Sequence, residues 1–245
     1  MPTWNDQGCV LTRIDYSESS QVLVLFGRLH GKLRILGKGT KKSTKSRFKP
    51  GIDLLDVGHV VFSARHERSS TLATLVEWKQ SRCYFGLREK LYRLHGATYV
   101  AEITAHLTED WDPHTDVFDA LIAALTQLDS AAEPFTPVTA FQTALLAGIG
   151  SLPSWDTCVQ CGREHDLTHF SSFEGGLLCR HCEPGRVEKR ELSMHTIRSL
   201  RGDMDTPPDM ATFDILNYHL SHLMGREPRL AAKLAPPAQR RIIRR

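Results

Sequence analysis

Hydrophobic positions recur along this chain with two periods, and the change from one to the other comes near Ser81. Before it, apolar residues sit in short runs or alternate with polar ones, the pattern of half-buried strands. Five runs qualify: Val10 to Ile14, Gln21 to Phe26, Lys32 to Gly37, Asp56 to Ala64, and Thr71 to Trp78. Their connections are short and polar: Tyr16 to Ser20, Arg28 to Gly31, and His66 to Ser70. Five short strands joined this way predict a small closed barrel of the OB type. After Ser81 the spacing turns helical, with Leu87, Leu91, Leu94, Val100, Ile103 and Leu107 on one stripe. Asp112-Pro113-His114 breaks it. A second helix carries Val117, Phe118, Leu121, Ile122, Leu125 and Leu128, with Thr115 as the expected N-cap. Pro134 and Pro137 interrupt again, and a third helix runs from Val138 to Ala147. Leu192 to Leu200 and Phe213 to Met224 are two more, the latter capped by Asp209 or Thr212. The stripes read as mutual core.

This pattern predicts an α+β multi-domain protein. Residues 1–80 form the OB-type barrel, and 81–154 and 187–245 two parts of a helical domain. Between those parts lies an insertion, 155–186, which the four cysteines Cys158, Cys161, Cys179 and Cys182 mark as zinc-binding. At 245 residues, with 41% hydrophobic and 24% charged residues, the composition is that of an ordinary globular protein. No apolar run reaches membrane-spanning length. Met1 to Gln7 has neither the basic start nor the apolar stretch of a secretory signal, so a cytoplasmic, nucleoid-associated location is expected.

Charge changes the picture more than composition does. Residues 1–79 hold 13 Lys+Arg against 7 Asp+Glu, whereas residues 80–150 hold 4 against 9. Different surfaces for different partners follow. From Ser19 through Ile52 there is no acidic residue, and the span carries nine cations. Within it, Lys38 to Arg47 is basic and hydroxyl-rich, a composition that suits a phosphate backbone. The candidate DNA-binding residues are Lys32, Arg34, Lys38, Lys41, Lys42, Lys45, Arg47 and Lys49. The plainer alternative is a solvated loop that serves solubility. Phe26, Phe48 and Phe62 are the nearby aromatic residues, each either a base-stacking group or core.

Four cysteines supply the sharpest motif. Cys158-Val159-Gln160-Cys161 and Cys179-Arg180-His181-Cys182 are separated by 17 residues. Two such turns offer four soft ligands, the closed tetrahedral set of a structural zinc ion. Gly162, Gly175 and Gly176 give the turns their tight backbone. Disulfides would need an oxidising compartment, and a redox pair a βαβ setting; neither is indicated. His165, His169 and His181 are near enough to replace a thiol, but a full set of four makes that unnecessary. Cys9 and Cys83 read as small buried residues.

Enzymatic signatures are missing. The chain has no phosphate-cradling Gly-x4-Gly-Lys-Ser/Thr loop and no His-Glu-x2-His site. Asp110, Asp112, Asp116 and Asp119 invite comparison with a magnesium site, and so with a nuclease, but acids at a helix start are favoured by its dipole. His219 and His222 have no further ligand set beside them. The tail from Ala235 to Arg245 is basic.

In order, these pieces resemble the bacterial RecO family of DNA repair proteins. Gly8-Cys9-Val10-Leu11, Glu18, Gly31-Lys32 and Lys38-Gly39 match its start. Leu145 to Pro153, running into Cys158 to Gly162, and Gly175 to Cys182 carry the most specific likeness. It covers essentially the whole chain and is weakest after Leu192. Gly27 stands where the family commonly has Thr, and Glu227-Pro228-Arg229 where a Lys-Ser pair is common. The resemblance implies an OB-fold and a helical domain interrupted by the zinc knuckle. It implies binding of single- and double-stranded DNA, strand annealing without catalysis, and help in loading RecA onto strands coated by single-strand-binding protein. The implied partners are RecR and the acidic tail of single-strand-binding protein, with no membrane and no small-molecule substrate. A protein-docking adaptor with incidental DNA contact, or a metal-dependent nucleic-acid enzyme, are the competing readings.

Overall fold

The computed structural model describes residues 1–40, 51–65 and 72–234. The chain divides into two compact units, Met1–Ala132 and Glu133–Arg245.

The first unit is built on five strands: β1 (Thr3–Asp15), β2 (Gln21–Gly27), β3 (Gly31–Gly37), β4 (Val57–Ser63) and β5 (Ala73–Arg82). β1 is longer than its apolar run predicts. Its first half pairs with β4 from Thr3↔Ser63 to Cys9↔Val57, and its second half with β2. A register shift between Val10 and Thr12 interrupts the second ladder. The remaining pairings are β2 with β3, β3 with β5, and β5 with β4, so the five strands close into a ring. Inward-pointing Val10, Leu23, Leu25, Leu33, Ile35, Val60, Phe62 and Trp78 fill it. Phe62 is therefore core. Trp4 and Trp111 pack against this cluster, with Trp4 stacked on Phe62 at 5.8 Å and Trp111 edge-on to Phe62 at 5.9 Å.

A single 3-10 turn (Gly86–Arg88) leads into α1 (Leu91–Leu107), and α2 (Thr115–Ser130) follows. His114, not Thr115, is the cap residue of α2, and no side chain bonds there. The helices cover one end of the barrel's outer face. Phe26 points outward and meets Phe118 of α2, 6.2 Å between rings. Cys9, paired with Phe26 across the strands, is fully buried, and burial raises its thiol pKa. An inert thiol follows.

The decisive contact at this seam is Lys32. Its Nζ donates to the carbonyls of Ala105 (2.8 Å) and Thr108 (2.5 Å), the otherwise unpaired last turn of α1. A cation there also opposes the negative end of the helix dipole. The Trp111 N–H returns to the Lys32 carbonyl at 2.9 Å. Gly31, at φ +67°, lets the Asp112 backbone approach to where a Cβ would lie 2.0 Å from the Asp112 carbonyl oxygen. Gly27 has an equally local reason: a Cβ there would meet Asp6 Oδ2 at 2.4 Å. That buried carboxylate accepts from the N–H groups of Leu29 and His30 and so ties the β2–β3 turn.

The second unit holds α3 (Phe135–Gly148), four short strands, and α4 (Met194–Leu200), α5 (Met210–Met224) and α6 (Ala231–Leu234). Pro137 falls inside the first turn of α3, where its missing N–H costs nothing. The strands are β6 (Ser154–Cys158), β7 (Leu167–Ser171), β8 (Gly176–Cys179) and β9 (Arg190–Glu191), in the order β6-β8-β7-β9. Asp209 caps α5 by accepting from the Thr212 N–H at 2.9 Å, and Gly225 ends it at φ +67°. Phe135 meets Phe213 between α3 and α5 at 5.9 Å. His219 is buried: Nε2 donates to the Ser151 carbonyl (3.0 Å), and Nδ1 accepts from the Ser172 hydroxyl (2.7 Å). His222 packs on Tyr218 at 4.5 Å. These two histidines are packing groups.

Two outcomes test this account. Lys32→Met strands two carbonyls and the Asp110 carboxylate, and should cost about 1–3 kcal/mol, read as a lower melting temperature in calorimetry. An unchanged melting temperature refutes the cap. Burial holds the His219 pKa below its ordinary 6.5. The folded state then binds fewer protons than the unfolded one, so this stability is complete above about pH 6.5 and is lost as pH falls through the lower folded value. Melts between about pH 7.5 and pH 5.5 should fall more steeply for the wild type than for His219→Gln; parallel curves would exclude His219.

Candidate metal centre and cationic surface

Two backbone turns hold the four cysteines. Cys158 ends β6, and the Gly162 N–H closes its turn on the Cys158 carbonyl at 2.8 Å, with Gly162 at φ +72°. Cys179 ends β8, and its carbonyl accepts from the N–H groups of Cys182 and Glu183, both at 3.0 Å. The parallel pairing of β6 with β8 sets the turns side by side. As a result the four Sγ atoms lie within 4.8 Å of one another. All four are thiols rather than disulfides, and Cys161 Sγ is 3.8 Å from Cys179 Sγ. His165, His169 and His181 are not in the cluster. His169 bonds the neighbouring Thr168 hydroxyl instead, at 2.9 Å.

The electrostatics of this cluster favour a cation. Burial opposes ionisation of Cys158, but the N–H groups of Cys179, Gln160 and Cys161 favour it and bring its pKa down to about 6. The remaining thiols then sit against a negative neighbour. Hydrogen bonds with Cys161 and Cys179 push Cys182 up to about 12. Four thiolates in so small a volume repel one another unless a positive ion stands among them. The donor set is soft and closed, so the site fits a metal held for structure, with no position left open for chemistry.

The sheet around the cluster is tied by ion pairs and by one carboxylate. Glu188 accepts from the Ser171 hydroxyl (2.7 Å), the Phe173 N–H (3.0 Å) and the Tyr218 hydroxyl (2.5 Å). Arg186 pairs with Glu174 at 2.5 Å, and Lys189 with Glu183. None of these ties is legible in the sequence, because spacing does not report which strand, loop and helix residues the fold brings together.

The candidate cations of the barrel divide into three groups. Lys32 is a correction. Strand alternation points it outward, but α1 covers that end of the face, and its side chain is only 10% exposed. It caps a helix and does not face a ligand. Arg34, on the same outward row, is 62% exposed and pairs with Asp110 at 3.0 Å. Lys38 is exposed. Lys41, Lys42, Lys45, Arg47 and Lys49 lie outside the described residues. The two ends of that segment are nevertheless placed: the Gly51 N–H donates to the Thr40 carbonyl at 3.3 Å. Thr40 Oγ1 donates to Gln21 Oε1 at 3.1 Å, and Gln21 Nε2 to Asp15 at 3.4 Å. The basic segment thus starts and finishes beside the β1–β2 hairpin.

Three of the four acidic residues that invited comparison with a metal site are engaged otherwise. Asp110 serves Lys32 and Arg34, Asp112 lies 3.0 Å from His114, and Asp119 takes Arg28 in a two-bond pair at 2.9 and 2.8 Å. Among the described residues, no helix is long and apolar enough to cross a membrane.

Comparison with known proteins matches most of the chain. Residues 1–100 match the family model described as recombination protein O N terminal, and residues 88–222 the one described as recombination protein O C terminal. A DNA repair protein RecO from Rhodopirellula baltica is 29% identical over 215 residues, covering 85% of this chain and 78% of that protein. The protein of that name from Anaeromyxobacter dehalogenans is 30% identical over 240 residues, 92% of each chain. The one from Bacillus cytotoxicus is 31% identical over 178 residues, 72% of this chain and 70% of its own. Two family models that together span most of the chain, and relatives similar over most of their length, agree: the chain belongs to the recombination protein O family of DNA repair proteins.

Proposed function

We propose that this protein is a DNA-binding recombination mediator that makes and breaks no covalent bond. It binds single- and double-stranded DNA, anneals complementary strands, and helps to place RecA on strands coated by single-strand-binding protein. RecR and the acidic tail of single-strand-binding protein are its protein partners, in the cytoplasm. The ring of strands is the OB-type barrel, and the four cysteines hold one structural zinc ion.

The observation that carries this reading is the acid-free basic segment whose two ends are fastened to one corner of a rigid barrel. Complementary strands repel through their phosphates. Cations that neutralise both lower that repulsion and let base pairing proceed. The family membership supports a role in DNA repair. For the zinc ion, the support is four thiols at ligand spacing, all within 4.8 Å of one another.

The salt dependence of binding tests the cations. For single strands, log affinity falls against log salt with a slope of about −0.7 per phosphate neutralised. Lys41→Ala with Lys42→Ala should flatten that slope by up to about 1.4, and Lys32→Met should leave it alone. A double variant with wild-type slope and affinity removes these lysines from the interface. Metal analysis should return one zinc per chain. Cys161→Ser should lose the zinc and lower the melting temperature, and metal-free protein of full stability would dispose of the structural ion.

A further inference from the structure

A closed set of four sulfurs leaves a metal no open position, but a ligand sulfur can itself react. The four cysteines are unequal in this respect. Cys158 and Cys179 end their strands and are buried, and Cys182 is half-buried. Cys161 is exposed. Gly162 beside it has nothing within 4 Å of where a Cβ would lie, so the approach to this turn is open. Oxidation of cysteine follows exposure and thiolate character, and exposure singles out Cys161.

The sulfur that Cys161 touches belongs to the other turn. Its Sγ lies 3.8 Å from Cys179 Sγ, so the two must close by about 1.8 Å to form a disulfide of ordinary length. Other bonds already join the two turns. The Val159 N–H donates to the Leu177 carbonyl at 2.9 Å, and the Cys179 N–H to Cys158 Sγ at 3.4 Å. A Cys-x-x-Cys pair that oxidises ordinarily closes on itself. Here that means Cys158 with Cys161, or Cys179 with Cys182, and neither bond would connect the turns.

We propose that the centre is a peroxide-sensitive clamp that exchanges a metal cross-link for a covalent one, with Cys161 the sulfur that reacts first and Cys179 the one that resolves it. The inference rests on the structural-zinc reading above and adds the regulation of that site. Bound to zinc, the four sulfurs are thiolates. The Cys161 thiolate gives an electron pair to one oxygen of hydrogen peroxide. An S–O bond forms, the O–O bond breaks, and hydroxide leaves, so Cys161 becomes a sulfenic acid. The Cys179 thiolate then attacks that sulfur. An S–S bond forms as the S–O bond breaks, and a second hydroxide leaves. The two thiolates have lost two electrons, and the peroxide has gained them. Cys158 and Cys182 alone are too few to complete a tetrahedral set, and the ion is released. The new bond spans the same two turns that the ion spanned, so β6 and β8 keep their alignment. A thiol reductant reverses the step by exchange.

Hydrogen peroxide added to full-length protein of known zinc content tests this. A chromogenic chelator should record loss of the ion, and peptide mass spectrometry should find one disulfide per chain, Cys161 to Cys179. Dithiothreitol and added zinc should restore the metal. Amide exchange across Ser154–Cys158 and Gly176–Cys179 should stay slow in the oxidised, zinc-free protein. It should become fast when a chelator strips zinc from the reduced protein. Cys161→His keeps a four-ligand zinc set and should retain its ion at peroxide levels that empty the wild type. Cys182→His keeps both reacting sulfurs and should still form the bond between them. If either variant fails to hold zinc, the disulfide map of the wild type decides alone. A disulfide within one turn, sulfinic acid with no bond between turns, or zinc retained at peroxide levels that oxidise free glutathione overturns the clamp and leaves the structural ion in place. A wild-type protein isolated without zinc and fully stable overturns both.

Discussion

One ammonium group joins the barrel to its helices. Lys32 lies on a strand whose alternate residues point outward, and its chain is long enough to reach the last turn of α1. A buried cation without partners would be costly, as would two dry carbonyls at a helix end. Each requirement meets the other, with Asp110 adding a carboxylate 3.4 Å away. The rest of the first unit follows from that seam. Trp111 is drawn back to the Lys32 carbonyl and packs against the aromatic cluster of Trp4 and Phe62, where it covers part of the barrel core. Helix cover is confined to one end of the outer face, and at the other end Ile14 and Tyr16 stay exposed.

The second unit depends on a different kind of constraint. Its sheet is short, and two of its strands end in ligand cysteines. Backbone hydrogen bonds make the Cys158 thiolate easy to form against the cost of burial, and hydrogen bonds with Cys161 and Cys179 make that of Cys182 hard. A divalent ion held by the four thiols would reverse that balance and would couple metal binding to closure of the sheet. The sheet then brings together Glu188 and Tyr218 and the pair of His219 with Ser172. The position for chemistry is missing from such a centre. What it offers is a fixed shape.

Family membership and geometry bear on different levels. The comparisons place the chain among DNA repair proteins, and the structure says which of the described candidate cations are buried, paired or exposed. Lys32 is removed from that group, and Arg34 shares its charge with Asp110. Among the described candidates, Lys38 remains exposed.

Period and spacing alone determined the order of strands and helices, the four-cysteine centre and the acid-free basic run, because each is a local property of neighbouring residues. The cap of α5 by Asp209 was readable for the same reason. The first half of β1 was not: Thr3 to Gly8 carries few apolar residues and becomes a strand only because β4 lies alongside. The small sheet around the cysteines escaped notice because its strands are only two to five residues long. Alternation correctly sent Lys32 outward, but whether an outward side chain meets water depends on what packs over it. That was decided by α1, whose last turn comes from more than seventy residues further along the chain, and no local pattern reports a contact made at that distance.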